Sequence, residues 1–183
     1  MTPKHFYDWQ TAGGTDDVMQ LVDCLEKADI AWCAIGGIAV NHWAREPMVT
    51  ADVDIVIVTD MVARAVKLLE QAGFESLHFE WSTNLKGRSS LTIQISTEDF
   101  YTDFPSRSVP ADIHGILMRV ASLEDTLAGK IEAWKDAHGR QSKKIKDLAD
   151  IARLVESHPN LWEKLGKELQ AIIQRPRADS ASQ

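Results

Sequence analysis

Two stretches in the first third of the chain decide its fold class. Residues 34–40 read AIGGIAV, and residues 50–57 read TADVDIVI. In the first stretch a short apolar run ends at Gly36-Gly37 and more apolar residues follow, which predicts a strand, a turn and a helix. The second is nearly continuously β-branched from residue 53 to 58, as expected for a central strand. Together they indicate an α/β domain.

Asp52 and Asp54 stand two positions apart on the predicted strand, so their side chains project from the same face. Such a pair offers oxygen ligands to a hard cation, and Mg²⁺ usually binds one or two carboxylates plus substrate phosphates. The alternative is a solvated pair on an edge strand. The apolar residues around the pair favour the metal site, because buried carboxylates need a partner.

Gly36 and Gly37 lie where the predicted strand turns into a helix. Glycines there let backbone amides approach an anion, and the helix adds its positive end, although a simple tight turn explains them equally well. A phosphate site beside a metal site is what nucleotidyl transfer requires. There the metal neutralises charge on the α-phosphate and pyrophosphate while an acceptor hydroxyl attacks.

The remaining pattern predicts a mixed α/β (α+β) core, with a sheet of four or five strands and flanking helices over residues 1–121. We expect a helix over 15–28 capped by Thr15, and one over 61–71 capped by Asp60. Strands over 74–79 and 91–95 are joined through a hairpin-like connection over 82–90. An irregular excursion over 101–115 precedes a last strand over 116–120.

From Ser122 the pattern is helical. Ser122-Leu123-Glu124-Asp125 resembles a capping box, and further helices are predicted over 142–156 and 161–173. We expect this segment, residues 122–174, to form a C-terminal helical bundle that closes one side of the cleft, and the tail over 175–183 to be mobile.

The composition of the chain argues against several classes of function. The net charge of −7 on 183 residues argues against a general nucleic-acid coat, since phosphate-backbone binding depends on clustered Lys and Arg. Cys24 and Cys33 lack the spacing of a zinc site and are expected to be reduced, buried residues. No signal peptide or membrane span is visible, so we expect a cytoplasmic protein with no membrane partner.

The order Gly-Gly, then Asp-x-Asp in an apolar strand, resembles the DNA polymerase β-like nucleotidyltransferase superfamily. The run from Gly36 through Arg45 and Thr50 to Asp54 is similar to its small bacterial branches, including the AbiEii-type toxins of toxin-antitoxin systems. The helical segment agrees, with Ser122-Leu123-Glu124-Asp125, then Lys130, then Lys146-Asp147-Leu148 and Asp150. The resemblance covers residues 31–157.

The resemblance implies a site with catalytic, nucleotide-binding and metal-binding residues. The catalytic residues are Asp52, Asp54, Gln94, Lys130 and Asp147, and the nucleotide-binding residues are Gly36, Gly37, Arg45, Thr50 and Lys146. Asp52 and Asp54 hold the metal, Mg²⁺ or Mn²⁺. The substrate is an NTP, the acceptor is an RNA, a protein or a small molecule, and an antitoxin-like protein is a possible partner.

Gln94 departs from the superfamily pattern, which has a third carboxylate on this later strand. A glutamine can coordinate a metal or bind an acceptor but cannot act as a carboxylate base. Glu98 or Asp99, just beyond the strand, can substitute for it. A non-catalytic module that binds a nucleotide or a partner protein is therefore the rival hypothesis.

Charged residues of the helical segment allow two interpretations. Lys130 shares a helical stripe with Leu127 and Trp134, so its ammonium either snorkels to solvent or reaches a carboxylate or phosphate. Lys146 and Asp147 fit an ordinary surface pair as well as a site. The basic residues here indicate a solvated face or a contact with RNA or a nucleotide; they are Lys135, Arg140, Lys143, Lys144 and Lys146.

Overall fold

One mixed sheet forms the centre of the protein. The structure, a computed structural model, describes residues 14–48, 50, 52–113 and 115–174. Within these residues the sheet has seven strands in the order β3-β4-β5-β2-β1-β7-β6. The strands are β1 (Trp32–Ala34), β2 (Asp52–Ile57), β3 (Glu75–His78), β4 (Ser82–Lys86), β5 (Thr92–Ser96), β6 (Val109–Ile113) and β7 (Ile116–Val120).

Helices flank the sheet and dominate the C-terminal part. The α-helices are α1 (Thr15–Lys27), α2 (Gly36–Trp43), α3 (Val62–Gln71), α4 (Phe104–Arg107), α5 (Leu123–Lys135), α6 (Gln141–Ser157) and α7 (Lys167–Ile172). Short 3₁₀ turns cover Thr59–Met61, Asp99–Tyr101 and Pro159–Lys164. Among the described residues no helix is long and apolar enough to span a membrane.

Strand β2 is the central strand of the sheet, and its side chains alternate between an apolar face and a polar face. It runs parallel to β5 and antiparallel to β1. Val53 and Ile55 point into the main core, which α1 and α3 cover with leucines and valines of their apolar faces. Asp52 and Asp54 therefore belong to the opposite face, as the alternation along a strand requires.

A second apolar cluster joins the glycine helix α2 to the C-terminal helices. Val40 of α2 packs with Leu127 of α5 and with Ile151 and Leu154 of α6. The C-terminal helices are therefore fixed against the element that begins at Gly36, which positions α5 and α6 along one side of the sheet. The boundary at residue 121 stays a prediction.

The expectation of four or five strands was wrong, because two strands carry weak sequence signals. In β4 only Thr83 and Leu85 are buried, and the polar residues between them hide the alternation. Strand β6 contains Pro110, which argued against a strand. It is the last strand of the sheet, where a missing N–H is tolerated.

Several helix ends also differ from the expectations. Thr15 is the first helical residue and Gly14 precedes it as the cap, while Asp60 lies in a 3₁₀ turn and makes no side-chain cap. The predicted third C-terminal helix is divided into a 3₁₀ turn and the short α7, with Gly166 at the N-cap of α7. The Ser122 cap is confirmed, since its hydroxyl accepts from the Asp125 amide at 3.1 Å. The tail over 175–183 lies outside the described residues.

Candidate active site

A cleft of about 570 Å³ lies between the polar face of the sheet and helices α5 and α6. Eight of the ten predicted site residues line it. They are Gly36, Gly37, Asp52, Asp54, Gln94, Lys130, Lys146 and Asp147. Residues from the glycine turn, two strands and two helices thus meet at one cavity, as a ligand site requires.

The glycine turn lies directly against Asp54. Gly36 has a φ of 59°, which favours glycine, and it opens α2 immediately after β1. A Cβ atom at Gly36 would collide with the carboxylate of Asp54. The Ile35 amide also donates to the Asp54 carbonyl at 2.8 Å. The close approach brings the N-terminus of a helix beside a carboxylate, so a phosphate and a cation can be held next to each other.

Asp54 is partly buried on the floor of the cleft. Burial raises the pKa of its carboxyl, and the charge of Asp52 adds to this. The ammonium of Lys130, with Lys146 and Lys143 further away, opposes the rise but does not cancel it. A cation bound beside Asp54 would therefore stabilise the ionised form of its carboxyl.

The described residues contain no cluster of three or more His, Cys, Asp or Glu side chains arranged for a metal. Asp52 and Asp54 are the carboxylates that could hold a cation at this face, jointly with phosphate oxygens. These two carboxylates are oxygen ligands of the kind that Mg²⁺ prefers, so they suit a Mg²⁺ ion. The backbone amides of the adjoining glycine turn can bind a phosphate group.

Gln94 lies beside the carboxylate pair. It is directly opposite Asp54 in the parallel pairing of β2 with β5. Of the two acidic residues considered as substitutes for a third carboxylate, Glu98 lines the cleft and Asp99 does not. Glu98 is exposed overall, but partial desolvation raises the pKa of its carboxyl, which favours proton acceptance.

Lys130 is buried, with 8% of its surface exposed, and its ammonium reaches carboxylates and not solvent. It lies 2.9 Å from Asp147 Oδ1 and 2.8 Å from Asp150 Oδ2. Burial favours the neutral amine, but the two carboxylates outweigh it and hold the pKa of Lys130 above its ordinary value. Asp147 is also buried, so the alternative of an ordinary surface ion pair between Lys146 and Asp147 does not hold.

Three cations at the start of α6 also line the cleft. Arg140, Lys143 and Lys146 recur every three residues along the start of α6, and all three line the cavity. Lys144, on another side of the helix, does not. The basic stretch is thus divided between the cleft and the outer surface.

Arg45 and Thr50 do not line the cleft. Arg45 is exposed beyond the end of α2, where its backbone N–H donates to Ser157 Oγ at 3.0 Å. Thr50 is buried behind the glycine turn, and a Cβ at Gly37 would lie only 2.8 Å from its hydroxyl oxygen. Thr50 therefore supports the turn from behind.

Sequence reasoning missed several residues of the cleft. Tyr101 and Phe104 line it, but they belong to the segment that was expected to be irregular. Asp125 lines it as well, although it was interpreted only as part of a cap; it also binds Arg107 at 2.9 Å. The spacing of three residues between Arg140, Lys143 and Lys146 is the signal that could have indicated a shared face.

Comparisons with known proteins agree with this geometry. A sequence model of the nucleotidyl transferase AbiEii toxin family, type IV toxin-antitoxin system, matches residues 38–179. No curated protein sequence matches significantly. Solved structures with a similar fold include an adenylyltransferase and a nucleotidyltransferase-like protein.

Three solved structures illustrate the shared fold. The antibiotic-resistance factor ANT(2'')-Ia has a TM-score of 0.58 and 12% identity, covering 89% of this chain and 90% of its own. The lincomycin-bound lincosamide antibiotic adenylyltransferase LnuA has a TM-score of 0.54 and 13% identity, over 76% and 97%. An antigenic nucleotidyltransferase-like protein from Paracoccidioides brasiliensis has a TM-score of 0.54 and 20% identity, over 88% and 94%. At these identities the likeness shows the fold, and the family model shows the family: the chain belongs to the AbiEii toxin family of nucleotidyl transferases.

Proposed function

We propose that this protein is a divalent-metal-dependent nucleotidyltransferase that moves an NMP from an NTP to an acceptor. The observation that carries the proposal is the close approach of the Gly36 turn to the Asp54 carboxylate, in a cleft that Arg140, Lys143 and Lys146 also line. Family membership supports nucleotidyl transfer in general. The metal, the substrate and the residue roles are our proposal.

In this proposal the residues that line the cleft bind either the triphosphate or the metal ion. The backbone amides at Gly36 and Gly37 bind phosphate oxygens, and Arg140, Lys143 and Lys146 balance the remaining phosphate charge. Asp52 and Asp54 hold Mg²⁺ or Mn²⁺. When bound, this ion supplies charge neutralisation on the α-phosphate and the pyrophosphate.

The reaction breaks one phosphoanhydride bond of the NTP and forms one phosphoester bond to the acceptor. The acceptor oxygen forms a bond to the α-phosphorus, the bond from that phosphorus to the bridging oxygen breaks, and pyrophosphate leaves. In this proposal Glu98, which lines the cleft beyond β5, accepts the acceptor's proton. Gln94, opposite Asp54, orients the acceptor or a metal ligand through its amide.

The biological setting follows from the family description. We propose a toxin-like role in a toxin-antitoxin pair in the cytoplasm, with an antitoxin-like protein as partner. The acceptor is an RNA, a protein or a small molecule.

One observation favours a second candidate function, a non-catalytic module that binds a nucleotide or a partner protein. Gln94 stands where the superfamily pattern has a carboxylate, and it cannot act as a general base. Such a module would bind Mg²⁺ and NTP without releasing pyrophosphate.

The test is transfer of label from each of four α-labelled NTPs to total tRNA, to a panel of proteins and to small hydroxylated acceptors. The proposal predicts metal-dependent incorporation into one class and loss of incorporation in Asp52→Asn/Asp54→Asn. Binding of metal and NTP without incorporation or pyrophosphate release would establish the module instead. Absence of both would contradict both candidates.

A further inference from the structure

We infer that Arg153 and Asn41, which do not line the cleft, are positioning residues that couple the buried Lys130 cluster to the chain segment carrying Thr50 and Asp52. The inference rests on the proposed function for its ligand readout only. Its structural basis is a continuous set of ion pairs and hydrogen bonds from α5 through α6 to α2.

The first part of this set is a balanced cluster of four charges. Asp150 bridges two cations, with Oδ2 lying 2.8 Å from the Lys130 ammonium and Oδ1 accepting from Arg153 Nη1 at 2.9 Å. Asp147 completes the cluster on Lys130. Side-chain exposures of 4% for Asp150 and 16% for Arg153 show that little solvent screens this pair.

The second part consists of the hydrogen bonds that the other terminal nitrogen of Arg153, Nη2, donates. Its Nη2 donates to Asn41 Oδ1 at 2.9 Å and to the backbone carbonyl of Glu46. One guanidinium thus ties α6 both to the glycine helix and to the chain that follows it. A lysine has no planar fork and cannot reach Asp150 and these two oxygens together.

The third part is the side-chain amide of Asn41. Its Nδ2 donates to the Met48 carbonyl at 2.6 Å, and its Oδ1 accepts from the Met48 amide at 2.9 Å. This pair of bonds holds Met48 much as a neighbouring strand would. Met48 precedes Thr50, which supports Gly37, by two residues, and Asp52 by four.

The consequence is that two sides of the cleft share one support. The Lys130 cluster lies on the helical side, while Thr50 and Asp52 belong to the side that would hold phosphate and metal. Arg153 is the connection between them. Supporting contacts of this kind are worth roughly 10–100-fold in metal affinity or activity.

Arg153→Lys and Asn41→Asp test the connection at two points. The first keeps a positive charge beside Asp150 but removes the fork. The second keeps an oxygen facing Arg153 and the Met48 amide but loses the donor to the Met48 carbonyl. Arg119→Lys is the matched control, because Arg119 also makes a forked contact, to Ser108 Oγ at 2.9 Å and Ser108 O at 2.7 Å, outside the cleft.

Two measurements are made on each full-length variant: amide hydrogen exchange of Met48 by NMR, with and without Mg²⁺ and NTP, and affinity for Mg²⁺·NTP by calorimetry. We expect Arg153→Lys to exchange Met48 faster and both site variants to bind Mg²⁺·NTP about tenfold or more weakly, while Arg119→Lys changes neither. Bound Mg²⁺·NTP should slow Met48 exchange in the wild type more than in Arg153→Lys.

The outcomes separate this inference from the proposed function. Wild-type rates and affinities in Arg153→Lys would overturn the inference. If the wild type binds no NTP, the proposed function fails, and Lys130→Met then decides the coupling by exchange alone. Faster Met48 exchange in that variant supports the coupling, and unchanged exchange overturns it.

Discussion

Asp54 and Gln94 lie directly opposite each other on the parallel strands β2 and β5, and Gln94 is in turn opposite Asn84 on the antiparallel β4. The three side chains share one face of the sheet, with neighbouring strands about 4.8 Å apart. Gln94 is therefore adjacent to the carboxylate pair, and Asn84 is one strand too far to share a ligand with it.

Gln94→Asp should raise turnover by about tenfold, because it places a third carboxylate beside Asp54 as a metal ligand while Glu98 remains the proton acceptor. The measurement is pyrophosphate release at saturating Mg²⁺ and NTP. Asn84→Asp is the control for added negative charge and should leave the rate unchanged. Equal effects of the two variants, or no gain in Gln94→Asp, would show that this position does not take part.

Gly37→Val should weaken triphosphate binding while leaving nucleoside binding nearly unchanged. The new side chain would collide with the Thr50 hydroxyl, which lies 2.8 Å from a Cβ at this position, and would displace the turn whose backbone amides are to bind the anion. Calorimetry with NTP and with the matching nucleoside checks this. Gly166→Val, at a glycine with open space around it, is the control. Equal losses for both ligands would indicate misfolding instead.

Lys146→Gln should weaken Mg²⁺·NTP binding and reduce its dependence on salt, since Lys146 lines the same cleft as Asp54. Lys144→Gln removes the same charge two residues earlier on α6, outside the cleft. Its NTP affinity should match that of the wild type at every salt concentration. The same loss in both variants would mean that only net charge matters, and the cations that line the cleft would have no specific role.

Asp54→Asn should leave the metal-free protein at least as stable as the wild type at neutral pH. Burial and Asp52 raise the pKa of Asp54, so the ionised carboxyl destabilises the folded state. This cost is absent below the ordinary carboxyl pKa and develops as the pH rises through the raised value. The difference in melting temperature should therefore vanish in acid.

Thermal unfolding in a chelator across pH measures this effect. Asp147→Asn is a useful contrast, because it removes a partner of the buried Lys130 and should destabilise the protein at neutral pH. A large loss of stability in Asp54→Asn at neutral pH would contradict the account of its electrostatics.

The glycine turn and the carboxylate pair could be predicted because their signals are local. Gly36-Gly37 ends an apolar run, and the alternation of Asp52 and Asp54 with Val53 and Ile55 shows directly which face each side chain takes. The resemblance added Lys130 and Asp147, whose burial in the structure exceeds what an ordinary charged helix residue shows.

The remaining features depend on contacts between distant segments. Strand β6 carries Pro110 and is recognisable only from its place at the sheet edge. Arg45 follows α2 closely in sequence, yet the chain turns it away from the cleft, while Arg140 and Lys143 reach the cleft through the packing of α6. No spacing within one segment encodes such placements, because they are set by tertiary packing.

The most direct test of the central claim, that Asp52 and Asp54 bind a divalent cation together with an NTP, is calorimetric titration of each of the four NTPs with and without Mg²⁺ or Mn²⁺. The account predicts binding that requires the metal in the wild type. It also predicts that the folded Asp52→Asn/Asp54→Asn variant loses this binding. Equal NTP affinity in chelator and in Mg²⁺, or unchanged metal-dependent affinity in the double variant, would contradict the account.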